Sequence, residues 1–106
     1  MKHLLLLGGG HAHVQVLLAL AAQPLPDVRV TLVSPFARQL YSGMVPGMVA
    51  GHYTVDDCAI PLPQLAARAQ AEFVEAAATR IDAAAHQVVL SDARRLSYDV
   101  LSIDTG

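Results

Sequence analysis

An α/β fold built around a parallel sheet is what this 106-residue chain predicts, and three observations predict it. A short apolar run, His3 to Leu7, stops at three consecutive glycines and opens onto an apolar helical stretch, Ala12 to Ala22. A β-branched run, Val28 to Val33, follows the prolines of Gln23-Pro24-Leu25-Pro26. Short alternating segments between Ala78 and Tyr98 then break the strand-helix rhythm.

The continuous apolar character of His3–Leu7 suits a central parallel strand covered on both faces. Ala12–Ala22 has little polar relief, so its helix is expected to be buried nearly all round. The prolines that follow forbid its continuation, and Val28–Val33 returns to the same sheet as a second strand, completing a right-handed βαβ unit. From Ser34 to Pro63 there is little periodicity, and Pro35, Gly43, Pro46, Gly47 and Gly51 predict irregular structure with one short helical turn at most. Apolar residues at Leu62, Leu65, Ala66 and Ala69 predict a helix over 62–70, leading to a strand at Glu72–Glu75. Ala78–Asp82, Gln87–Leu90 and Arg95–Tyr98 read as a three-stranded antiparallel meander. Val100–Ile103 is a last short strand, ending at Asp104-Thr105-Gly106.

Composition narrows the function classes. Hydrophobic residues make up 54% of the chain and charged residues 15%, an apolar excess that implies surface covered by further structure. The net charge of -2 and the scattered placement of the seven Lys and Arg residues disfavour nucleic acid. The single cysteine, Cys58, excludes an internal disulfide and a Cys-x-x-Cys zinc pair, and fits a cytoplasmic protein. Met1-Lys2-His3 before Leu4–Leu7, with Ala19-Leu20-Ala21 further on, imitates a signal peptide, but three glycines, two histidines and Gln15 interrupt the apolar region where a strand-turn-helix needs its turn. No uninterrupted run approaches the roughly 20 apolar residues of a transmembrane helix.

Gly8-Gly9-Gly10-His11-Ala12-His13 follows a strand and opens a helix, the context in which a glycine-rich turn binds a dinucleotide pyrophosphate. Gly8 would allow the tight turn and Gly10 the approach of the pyrophosphate, while the helix N-terminus supplies unpaired N–H groups and partial positive charge. Two departures stand out. His13 occupies the third glycine position of Gly-x-Gly-x-x-Gly, so either the helix stands off or His13 points away. Ser34-Pro35 follows the second strand where a ribose-binding carboxylate is expected, which weakens the case for NAD. No Gly-Lys-Ser/Thr follows the glycines, against a P-loop.

Three stretches together, His3-Leu-Leu-Leu-Leu-Gly-Gly-Gly-His-Ala-His-Val, Gln39-Leu-Tyr-Ser-Gly-Met-Val-Pro-Gly and Tyr98-Asp-Val-Leu-Ser-Ile-Asp-Thr-Gly, resemble the FAD-dependent pyridine nucleotide-disulfide oxidoreductase superfamily. Within it the chain is similar to the NADH dehydrogenase-like flavoproteins associated with selenide, water dikinase. The resemblance implies a Rossmann-like FAD-binding domain, with a parallel sheet, helices on one face and the meander on the other. It also implies that residues 1–106 are the N-terminal part of that domain, incomplete, with the NAD(P)H domain and the C-terminal part of the FAD domain outside them. By the same resemblance FAD would be held by Gly8, Gly9, Gly10, His11, Ala12 and His13 at its pyrophosphate. Ser34 and Pro35 would lie at the adenosine ribose, the backbone of Ala78 at adenine, Thr105 and Gly106 on the pyrophosphate side of the flavin, and Ser42, Gly43 and Pro46 along the flavin. The activity implied is flavin-dependent NAD(P)H:acceptor oxidoreduction by the longer protein, the isolated fragment being inactive.

Other readings remain open on the residues alone. The chain could be a non-catalytic nucleotide-binding module, or one that self-associates through an unfinished sheet edge into a homo-oligomer. A soluble NAD-binding domain is penalised by Ser34 and by the meander. His11-x-His13 at a strand end imitates a metal pair of barrel hydrolases, but that fold needs eight strands and about 250 residues. Cys58 reads as an ordinary thiol, since disulfide reductases need two cysteines. Quinone or dioxygen acceptors need none. His3, His52 and His86 are dispersed, and adjacent Asp56 and Asp57 would point oppositely in an extended segment.

Overall fold

The computed structural model of the chain describes residues 2–40 and 59–105. In chain order the elements are β1 (Lys2–Leu7), α1 (His11–Ala22), β2 (Val28–Ser34), β3 (Arg38–Leu40), β4 (Ala59–Pro61), α2 (Leu62–Arg68), β5 (Glu72–Glu75), β6 (Ala78–Asp82), β7 (Gln87–Leu90), β8 (Arg95–Ser97) and β9 (Val100–Ile103). β5, β2, β1 and β9 form a parallel sheet in that order, while β6, β7 and β8 form the separate antiparallel meander. The predicted α/β class and its meander are therefore both present.

β1 is central because it can be buried from both sides. Its register sets Leu4 opposite Val30 and Leu6 opposite Leu32 on one flank, and Leu5 opposite Leu101 on the other. Alternation of side chains divides these residues between the two faces of the sheet. Leu6, Val30 and Leu32 pack with Val14, Leu17 and Leu20 of α1 and with Leu62, Leu65 and Ala69. Leu5, Leu7 and Val33 pack instead with Val88 and Leu90 of β7. The result is three layers: helices, parallel sheet and meander.

α1 departs from the expectation of burial nearly all round. His13, Val14, Leu17 and Leu20 are buried, whereas Gln15, Ala19 and Ala22 are exposed and Leu18 retains 43% of its surface. The sheet covers one side of the helix only, and Leu and Ala occur on both sides, so composition could not tell them apart. The helix closes at Gln23, before Pro24, as expected.

α2 carries Pro63 in its first turn, where a missing N–H costs nothing, and buries Leu62, Leu65 and Ala66. It stops at Arg68, short of the predicted Gln70, because Gln70 takes the left-handed conformation with φ 59°. Residues 34–63 are more ordered at their ends than the lack of periodicity suggests. β3 and β4 pair antiparallel, Gln39 opposite Ile60, and three-residue strands are too short to leave a period. Within the meander, the register shifts between Ala78 and Arg80, and β8 ends at Ser97, one residue early, where the Tyr98 ring stacks on His86 at 5.8 Å.

At the rim, Arg29 of β2 meets Glu72 of β5 at 3.0 Å, both about half exposed. The guanidinium hydrogen bonds hold the Glu72 carboxyl below the usual range. No helix among the described residues is long and apolar enough to cross a membrane.

Candidate functional site

Parallel α/β sheets bind ligands beyond the carboxyl ends of their strands, where the strand order reverses. Here the order reverses at β1, with β2 on one side and β9 on the other. A cavity of about 450 Å³ opens at this point, within the size range of small-molecule sites. Leu7, Gly8 and Gly9 enter it from the end of β1, Val33 to Phe36 from the end of β2, Ala76 to Ile81 from β6 and its approach, and Thr105 from beyond β9.

The glycine turn is shaped by the chain that follows β9. The Gly10 N–H donates to the Asp104 carbonyl at 3.0 Å, and the Asp104 N–H donates to the Leu7 carbonyl at 2.9 Å. Gly8 has φ 97°, and a side-chain carbon there would overlap the Asp104 carbonyl oxygen and Thr105 Cα. Only glycine combines that dihedral with that approach.

The helix N-terminus is not left unpaired, in contrast to the sequence expectation. The Asp104 carboxylate accepts the Ala12 N–H at 2.8 Å and the His13 N–H at 3.3 Å, and it also fills the space where a Gly10 Cβ would stand. The strand next to β1 delivers this side chain from the far end of the chain, which no local motif could signal. A carboxylate at this position satisfies two orphan donors and complements the helix dipole. Asp104→Ala should therefore cost about 1 kcal/mol of stability, with Asp104→Asn, which keeps an acceptor oxygen, costing less. Urea unfolding of the two variants checks the order.

His13 neither pushes the helix away nor points outward. Its ring is buried beneath the turn, with Nδ1 2.7 Å from the Gly8 carbonyl oxygen and Nε2 2.8 Å from Ser102 Oγ of β9. A carbonyl can only accept, so Nδ1 carries a proton and donates to it, while Nε2 pairs with the Ser102 hydroxyl. The imidazole thus ties the turn to β9. With both nitrogens engaged, His13 has none to offer a metal.

Ser34 is also committed locally. Its buried hydroxyl donates to the Phe36 carbonyl at 2.9 Å and accepts the Phe36 N–H at 3.2 Å, a turn that closes β2. Of the sequence-derived site residues, Gly8, Gly9, Ser34, Pro35, Ala78 and Thr105 share the cavity wall. Gly10, His11, Ala12 and His13 sit behind the turn at the start of α1. Ser42, Gly43, Pro46 and Gly106 lie outside the described residues, as do His52, Asp56, Asp57 and Cys58. Sequence reasoning did not find Phe36, Thr79 or Arg80 in the wall. Only Ala78 was expected in this part of the wall, and that through the family resemblance.

No family model matches the chain. In sequence it is 29% identical over 105 residues to the sulfide-quinone reductase of Aquifex aeolicus, covering 99% of this chain and 24% of that protein. The solved structure of the Aquifex aeolicus sulfide:quinone oxidoreductase superposes on the whole chain with a TM-score of 0.88 at 27% identity. The water-forming NADH oxidase of Lactobacillus brevis, bound to NADH, superposes on the whole chain at 0.82 with 18% identity, a likeness of fold, and 25% of that protein is covered. The chain thus spans about a quarter of the length of these relatives. In sequence and in fold together, this chain has its counterparts among the pyridine nucleotide-disulfide oxidoreductases.

Proposed function

We propose that this chain supplies the FAD-binding part of a cytoplasmic, flavin-dependent NAD(P)H:acceptor oxidoreductase. The observation that carries the reading is the convergence of Gly8, Gly9, Ser34, Pro35, Ala78 and Thr105, distant in sequence, on one cavity at the strand-order reversal. The wall suits the adenosine diphosphate half of FAD. Leu7, Val33 and Ala76–Ala78 offer apolar surface for adenine, and the glycine turn brings backbone to the pyrophosphate. Bound there, the flavin supplies the hydride and electron chemistry. The residues of this chain bind and orient it, and the meander packed against the sheet keeps water from one side of the site.

The donor would be NAD(P)H, held by a domain outside these 106 residues, which on their own would not turn over. Sulfide is a second reading of the donor, favoured by the likeness to the Aquifex aeolicus protein, with quinone as acceptor. Purification of the full-length protein in the presence of FAD should yield a yellow protein with stoichiometric flavin after dialysis. A colourless protein that takes up no FAD overturns the proposal. Anaerobic bleaching of the bound flavin by NADH, by NADPH or by sulfide then chooses the donor.

A further inference from the structure

Ser34 and Thr79 are two hydroxyl-bearing residues at the β2 and β6 side of the cavity, and both hydroxyls are spent within the protein. Ser34 closes its own turn with Phe36, and the Thr79 hydroxyl donates to the Val89 carbonyl at 3.2 Å. No carboxylate is present among the described lining residues, and the one charged side chain among them is Arg80. Arg29, Arg94 and Arg95 each have a carboxylate partner, at 3.0, 2.6 and 3.8 Å, while Arg80 has none among the described residues.

Its presence in the wall has a backbone cause. In a regular strand alternate residues face one side, yet Thr79, Arg80 and Ile81 all line the cavity. The ladder pairs Ala78 with Leu90 and Arg80 with Val89, so Thr79 is an extra residue on β6, and such a bulge re-aims the side chains around it. A nucleotide site whose ribose end has a carboxylate binds the hydroxyls and repels a ribose phosphate. One with an arginine instead accommodates the phosphate.

We propose that Arg80 is the specificity-determining residue of this cavity, recognising the ribose end of an adenosine nucleotide through its cation, so that a phosphate on the ribose is accepted rather than excluded. The inference rests on the nucleotide reading given above. It extends that reading to a ligand class: adenosine nucleotides carrying an anionic group on the ribose, alongside FAD itself.

Calorimetric titration of the full-length apoprotein with FAD, and with 5′-AMP and 2′,5′-ADP, which differ only in the ribose phosphate, tests it. The expected result is that FAD binds, that 2′,5′-ADP binds at least as tightly as 5′-AMP, and that Arg80→Gln weakens 2′,5′-ADP about tenfold more than 5′-AMP, the loss of one charge-assisted contact. Arg80→Lys, which keeps the charge, should retain most of the preference, and unchanged circular dichroism of both variants confirms their fold. If FAD binds while 2′,5′-ADP binds more weakly than 5′-AMP to the wild type, or if Arg80→Gln leaves the ratio of the two nucleotides unchanged, the role of Arg80 is overturned and the FAD reading stands. If FAD does not bind, both fall.

Discussion

Gly8→Ala should destabilise the protein by about 3 kcal/mol or more and abolish nucleotide uptake with it. Two costs combine. A φ of 97° is outside what an alanine tolerates at ease, worth about 1–2 kcal/mol even in the milder left-handed region. The new methyl would also overlap the Asp104 carbonyl and Thr105 Cα, which are backbone atoms and cannot rotate aside, and overpacking of this kind costs a further ~1–3 kcal/mol. Relief requires β9 to move away from β1, which opens the wall shared by Gly8 and Thr105. Urea unfolding measures the first effect and FAD titration the second. An unchanged midpoint would show that the turn does not press on β9 as described.

His13→Gly is the second large effect, and its sign is opposite to what the motif suggests. The substitution restores the third glycine of Gly-x-Gly-x-x-Gly, yet it should destabilise by about 3 kcal/mol. It removes a fully buried ring, leaving a void of the kind that costs ~2 kcal/mol or more, and strips the Gly8 carbonyl and the Ser102 hydroxyl of their partner. Glycine near the start of a helix adds up to about 1 kcal/mol relative to alanine. Ser102→Ala should cost only about 1 kcal/mol, and the double variant less than the sum, because the two side chains share one hydrogen bond. Strict additivity would contradict the pairing.

These two residues also show where the sequence is readable and where it is not. β1, β2, β5 and β9 are continuous or β-branched apolar runs bounded by glycine, proline or charge, and their limits agree with the structure to within a residue or so. The meander announced itself through alternation and turns. Gly8 was legible as a tight turn because a local dihedral demand selects a residue type. His13 and Gly10 were not, because the groups that explain them, Ser102 and Asp104, come from the other end of the chain. Arg80 was hidden for a related reason: a one-residue bulge reverses the inside-outside pattern, and no residue type marks it. The exposed side of α1 was unreadable because alanine and leucine serve equally well on either side of a helix that packs on only one.

Asp104 closes a loop of more than ninety residues when it reaches the start of α1, as does Asp99 when its carboxylate accepts the His3 N–H at 2.7 Å. Loop closure of that length is entropically costly, and contacts so distant in sequence form late. During synthesis the glycine turn therefore leaves the ribosome before β9 and acquires its final form only after β9 has followed. Until β9 has emerged and paired with β1, Ala12 and His13 lack their cap and the cavity lacks one wall. If the cavity holds a nucleotide as proposed, its wall is complete only in chains synthesised at least as far as residue 105.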